Sequence, residues 1–222
     1  KVRIDLIDGN AAEHLTAVRQ LRLDVAFLTG TRGCLDCERE ALWSEQVFVA
    51  MPADHALAAC QELAWQDLAD QTFIVCEVAP GQEIHDHLAR CLADLGRHPE
   101  IEVQHIGRDN LIPFVALGRG LTLVSEAMTA AQFPGIAYRP ITGEVLPFSA
   151  VWSPRNDNPA FRRFLSTAKT MAAMRKTNIV TKTCDRSGQP ADSVLARRGP
   201  ARGNAPFSAR LTHSETHPAE RK

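Results

Sequence analysis

No stretch of this 222-residue sequence approaches the roughly 18 consecutive apolar residues that a membrane-crossing helix needs. Nor does it open on a charged-then-apolar secretory segment at Lys1. The expectation is a cytoplasmic protein without membrane contact, or a chain already processed or truncated upstream. Catalytic signatures are missing too: there is no GxSxG, HExxH, P-loop or GxGxxG. His85 and His87 stand two apart, so on a helix they face different ways and make a poor metal pair. Cys34-Leu35-Asp36-Cys37 has redox or zinc spacing, but no second CxxC or His pair completes a tetrahedral set, and Cys34 sits in a Gly/Thr loop. Without a secretory signal, the six cysteines read as free thiols. A Cys nucleophile would need a His partner that no motif places. Nothing here demands an enzyme, a cofactor or a metal.

Positive charge is scarce in most of the chain. Residues 1–174 carry 15 Lys and Arg against 22 Asp and Glu, while residues 175–222 carry 10 against 4. An acidic body is a poor match for nucleic acid. The basic tail has one aromatic, no sustained period and scattered Gly and Pro, so residues 175–222 are expected to be disordered.

What is present is an alternation of strand and helix signals. VRIDLI (2–7) reads as a strand, and Asn10 with Glu13 forms a capping box opening a helix through Leu15, Val18 and Leu21. VAFL (25–28) is a short buried strand. ALWSEQVFVAMP (41–52) is β-rich but broken at Ser44-Glu45. A short helix over 63–70 and the strand TFIVC (72–76) follow, then a helix from Gly81 closed by Gly96. Strands over 101–106, 121–124, 136–141 and 147–152 alternate with helices over 109–117 and 126–132. The last helix takes Asn158 as N-cap and Pro159 at its first position, with Phe161, Phe164, Leu165, Ala168 and Ala172 on one face. Trp43, Trp65 and Trp152 read as core or edge packing. The pattern is α/β, with largely parallel strands in two small sheets.

Six stretches occur in a telling order: LRLDVAFLTG, FVAMPADHALA, LADQTFIV, GRDNLIPFVALGRGLTLVSEA, IAYRPI and FSAVWSPRNDNPAFRRFL. This succession resembles the effector-binding domain of LysR-type transcriptional regulators, over residues 1 to about 174. The resemblance implies two Rossmann-like subdomains of the type II periplasmic-binding-protein kind. Residues 1–52 and 143–174 would form subdomain I and residues 53–142 subdomain II, with crossings near Pro52-Ala53-Asp54-His55 and Arg139-Pro140-Ile141. It also implies a helix-turn-helix and linker helix upstream, through which alone DNA would be bound, and a homo-dimer or tetramer. By the same resemblance the sequence begins at the second strand of subdomain I, so its first strand and helix are expected to be missing. Because that strand belongs inside the sheet, its loss should leave backbone groups unpaired.

The implied function is sensing a small, anionic metabolite such as a carboxylate, with ligand-linked closure of the subdomains altering transcription. The alternative is a solute-binding protein of a transport system, which shares the fold. In open α/β sheets ligands bind beyond the carboxyl ends of strands, where helix N-termini favour anions. Three places qualify: Thr29-Gly30, Gly107-Arg108-Asp109-Asn110 and Ser125, with Cys76 to Gly81 as a further wall. Arg108 could clamp a carboxylate bidentately or pair with a surface acid. Asp109 and Ser125 are equally plain N-caps, and Thr29-Gly30 an ordinary turn.

Overall fold

The computed structural model describes residues 2–30, 36–184 and 207–213. The Cys34 end of the CxxC pair therefore lies outside the described residues, as do residues 185–206 and 214–222 of the tail. The chain divides into two compact units. The division falls at Trp43/Ser44 and Leu146/Pro147, inside two long strands, rather than at the crossings expected near Pro52 and Arg139.

The first unit contains β1 (Val2–Asp8), α1 (Ala11–Arg19), β2 (Val25–Thr29), the start of β3 (Glu38–Pro52), the end of β7 (Ile136–Trp152), α4 (Pro159–Cys184) and β8 (Phe207–His213). Asn10 caps α1 by accepting the Glu13 N–H at 2.8 Å, which is half of the expected capping box. The helix buries Val18 against Leu23, Ala26, Leu28 and Val151. Asn158 caps α4 through Ala160 N–H at 3.0 Å, with Pro159 at the first helical position as the sequence indicates. Phe161 and Ala172 of α4 are buried with Val25, Phe27, Ala150 and Trp152, and Phe164, Leu165 and Ala168 pack against this cluster. Trp43 stacks on Phe148 with ring centroids 5.0 Å apart, and Trp152 meets Phe161 at 5.7 Å.

The strand order in this unit is β1-β8-β2-β7, and every ladder in it is antiparallel. β8 thus occupies the interior position between β1 and β2 that the sequence reading left vacant. It pairs along the whole of β1, from Val2↔His213 to Asp8↔Phe207, and with β2 from Val25↔Ala209 to Phe27↔Phe207. Residues 207–213 are therefore not the disordered tail expected, and α4 runs on to Cys184. The physical reason is that two ladders satisfy the backbone of β8 while Ala209 and Leu211 enter the core, at 0% and 3% exposure. An ordering cost that a free tail could not meet is offset in the interior of a sheet.

Asp24 fastens β8 in place. Its carboxylate accepts the Leu211 N–H at 2.6 Å and the side-chain amides of Asn156 and Asn158 at 3.2 and 3.0 Å. Asn158 Nδ2 also donates to the Leu211 carbonyl at 2.9 Å, and the Asp24 N–H to the Ala209 carbonyl at 3.0 Å. The Asn-Asp-Asn turn before α4 is thereby shaped by the same carboxylate.

The second unit runs from Ser44 to Leu146 among the described residues. β4 (Thr72–Cys76) pairs in parallel with β5 (Glu100–Gln104), and β6 (Thr122–Ser125) pairs antiparallel with β3. A parallel bridge between Phe73 and Leu121 brings β6 beside β4, with Ile74 N–H on the Leu121 carbonyl at 2.8 Å. α2 (Gly81–Ala93) and α3 (Leu111–Ala116) cover these strands, burying Leu88, Leu92, Leu111 and Val115. Two expected breaks are absent. β3 continues through Ser44-Glu45, and residues 136–152 form one strand. A buried glutamate inside a strand is tolerated because its carboxylate has a backbone donor, described below. The helices expected over 63–70 and 126–132 are short 3-10 turns at 65–68 and 126–130.

His14 of α1 is 3% exposed, and burial pushes its pKa below the ordinary histidine value, against the pull of Asp8 and Glu13. In the unfolded chain it would titrate near the unperturbed value of about 6.5. Above that pH both states are neutral there; below it the unfolded chain binds more protons, so stability falls as pH drops. Thermal unfolding from pH 7.5 to 5.5 should show a smaller loss of Tm in His14→Leu than in the wild type. The loss is reduced rather than abolished, because burial also lowers the pKa of His87 in the second unit.

Candidate functional site

The parallel arrangement of β4, β5 and β6 puts their carboxyl ends at one end of the second unit. The loops leaving them are Cys76 to Gly81, the turn ahead of α3, and Ser125. Gly107, Arg108, Asp109, Asn110 and Ser125 thus belong to one edge of one unit, while Thr29 and Gly30 end β2 in the other.

Gly107 leads into a single 3-10 turn, Arg108–Asn110, closed by Asn110 N–H on the Gly107 carbonyl at 3.0 Å. A Cβ at Gly107 would meet nothing within 4 Å, so the backbone there is open to approach. Asp109 lies within that turn and is exposed; the N-cap position of α3 falls to Asn110, whose side chain makes no capping bond. Asp109 therefore does not play the capping role available to it in the sequence. Ser125 does occupy an N-cap position, ahead of the turn Glu126–Ala130, and is 6% exposed, but it makes no side-chain capping bond.

The donor at that turn is taken by a residue that the sequence presented only as a break in a β-rich run. Glu45 of β3 is 5% exposed, and its Oε2 accepts the Ala127 N–H at 3.1 Å. A built-in carboxylate thus occupies the backbone position where an anion would be expected to settle. This shifts the weight of any anion contact from Ser125 toward the Gly107–Asn110 turn. The signal was present in the sequence as a lone acidic residue inside an apolar run.

Thr29-Gly30 is shaped as a turn. Gly30 has φ +77°, its N–H donates to the Pro147 carbonyl at 3.1 Å, and its carbonyl accepts from the Arg39 guanidinium. Its backbone groups are committed within the first unit. The Cys76–Gly81 wall is tightly folded: a Cβ on Gly81 would lie 1.6 Å from the Cys76 carbonyl oxygen, and the Gly81 N–H donates to the Val78 carbonyl at 2.9 Å.

Among the described residues one group of side chains has the donor set of a metal site: His87 and Cys91 on α2 with Glu144 on β7. It lies in the second unit and involves none of the residues above. The His87/Cys91 spacing was legible as one helical turn; Glu144, more than fifty positions away, was not.

Comparison with known proteins now bears on this arrangement. The LysR substrate binding domain family model matches residues 1–173. The HTH-type transcriptional regulator BudR of Raoultella terrigena is 25% identical over 176 residues, covering 74% of this chain and 58% of BudR. The HTH-type transcriptional regulator CysL of Bacillus subtilis is 25% identical over 129 residues, covering 58% of this chain and 42% of CysL. The chain thus spans about half the length of these curated relatives. Among solved structures, the BenM effector binding domain with its effector benzoate superposes with a TM-score of 0.65 at 21% identity, covering 76% of this chain and 77% of that one. Full-length CbnR in complex with its target DNA gives 0.62 at 17% identity, covering 72% of this chain and 57% of that one.

The Cys76–Gly81 wall yields a direct test. Gly81→Ala forces a methyl into the Cys76 carbonyl, and should destabilise the protein by about 3 kcal/mol. Urea unfolding should show this as a lowered midpoint at unchanged slope; an unchanged midpoint would mean the wall is not built this way.

Proposed function

The chain belongs to the LysR substrate binding domain family, and from that membership we propose that it senses a small-molecule effector for a transcription regulator. The observation that carries this reading is the family match, which runs through both units. The relatives are regulators rather than transport proteins, so the solute-binding alternative is not favoured. We assign the chain no catalytic role. DNA contact is assigned to a part of the regulator outside the matched domain, since the relatives are helix-turn-helix regulators that extend well beyond it. A regulator of transcription works where the chromosome is, so cytoplasmic action belongs to the same proposal; assembly as a dimer or tetramer is proposed from the family resemblance alone.

The effector proposed is a small carboxylate. Support comes from the open backbone at Gly107, the position of the turn beyond the carboxyl end of β5, and Arg108 at its start. Asp109, Asn110 and Ser125, on the same edge of the second unit, complete the proposed contact set, with Arg108 making the charge-assisted bonds. Such a ligand changes transcription only insofar as it binds two states of the domain unequally.

A thermal-shift screen of aromatic and aliphatic carboxylates against the matching amides tests this. A carboxylate present at about 100 times its Kd should add roughly 2.7 kcal/mol of stability. Arg108→Ala should weaken its binding by at least about tenfold, the loss expected for charge-assisted hydrogen bonds. Equal stabilisation by acid and amide, or an unaffected Arg108→Ala protein, would contradict the assignment.

A further inference from the structure

His87, Cys91 and Glu144 aim three donor atoms at one small volume. His87 Nε2 lies 3.2 Å from Glu144 Oε1 and 3.7 Å from Cys91 Sγ, and all three ligand atoms fall within 4.8 Å of one another. A tetrahedral ion bound to nitrogen and oxygen at about 2.0–2.1 Å and to sulfur at about 2.3 Å needs N···O and N···S edges of about 3.4 and 3.6 Å. The two observed separations match those edges to within a few tenths of an ångström. His87 and Cys91 stand four apart on α2, one helical turn, which places both on the same face.

A nucleophile–base–acid relay would look different. There the thiol and the carboxylate engage opposite nitrogens of the imidazole. Here both Cys91 and Glu144 face the same nitrogen, Nε2. Convergence on a single point suits chelation.

The surroundings hold the donors in place. Trp65 Nε1 donates to Glu144 Oε2 at 3.1 Å, orienting the carboxylate with Oε1 toward His87. The Trp65 ring also meets the His87 ring edge to face at 5.7 Å, packing against the imidazole. Partners of this kind, outside the ligands themselves, set orientation in protein metal sites. The three side chains are half-buried, so a fourth position stays accessible to water.

We propose that His87, Cys91 and Glu144 form a three-ligand site for a borderline divalent cation of the zinc class, completed by water. Binding displaces the thiol proton to solvent and leaves thiolate and carboxylate balancing the ion's two charges. Arg90 opposes it. Its guanidinium lies 2.8 Å from His87 Nδ1, and an ion on Nε2 puts the ring proton on that same Nδ1, so Arg90 must swing away. The site lies apart from the residues assigned to the effector and does not depend on that assignment.

Cobalt(II) titration of the full chain, followed by absorption, reads the site directly, because thiolate ligation gives a near-ultraviolet charge-transfer band and tetrahedral geometry gives intense visible bands. The expected result is one equivalent of cobalt, displaced by zinc, in both the wild type and Cys34→Ser/Cys37→Ser. Cys91→Ser should lose the charge-transfer band. His87→Gln and Glu144→Gln should weaken binding by at least about tenfold, and Arg90→Ala should tighten it several-fold. Far-ultraviolet circular dichroism checks that each variant is folded. No band in the wild type would overturn the proposal. So would a band kept in Cys91→Ser but lost in Cys34→Ser/Cys37→Ser, which would place the metal at the CxxC pair instead.

Discussion

Among the described residues β1 has one strand neighbour in its sheet, and that neighbour is β8, about two hundred positions later in the chain. The described ladder of β1 is made with residues 207–213, and β2 gains its second neighbour from the same segment. Sheet backbones away from water need partners for each N–H and C=O. The first unit is therefore coherent only while β8 is seated. The Asp24 carboxylate concentrates this dependence at one point, joining the strand's Leu211 to Asn156 and Asn158 of the turn that starts α4. Three distant pieces of sequence share one anion.

The remaining architecture builds outward from that seat. Ala209 and Leu211 complete the cluster on which α4 lays Phe161 and Ala172, and the same cluster includes Val25 and Phe27 of β2. The turn at Thr29-Gly30 ends that strand, tied by Gly30 N–H to Pro147 and by Arg39 to its carbonyl. In the second unit a buried carboxylate does comparable work: Glu45 holds the turn after β6 through Ala127. Both carboxylates accept backbone N–H groups, charge-assisted bonds that offset the cost of removing the charge from water.

Much of this was legible in the sequence where signals are local. The caps at Asn10 and Asn158, the apolar face of α4 and the short buried strands follow from residues within a few positions of one another. Two kinds of feature were missed. Phe-Ser-Ala-Arg-Leu-Thr-His at 207–213 alternates apolar and polar residues, a strand signal, but Gly, Pro and charge on either side dominate its composition. Its partners are also too remote for any local pattern to name. Ser44-Glu45 read as a break in a β-rich run because a charge there is ordinarily punctuation, and residues 136–141 and 147–152 read as separate strands; the Ala127 donor for Glu45 and a φ of +73° at Gly143 let the strands continue. At the candidate sites, position at strand ends was readable. Which backbone donors were already taken, at Ala127 and Gly30, required the fold.

The dependence of the first unit on β8 is tested most directly by amide hydrogen exchange on the full chain and on a chain stopped after Ala205. The account predicts that residues 2–8 are protected in the full chain to the same order as residues 25–29. In the shortened chain, 2–8 should lose that protection and 25–29 should weaken, while strands 72–76 and 122–125 of the second unit keep theirs. Unchanged protection of residues 2–8 without β8 would contradict it.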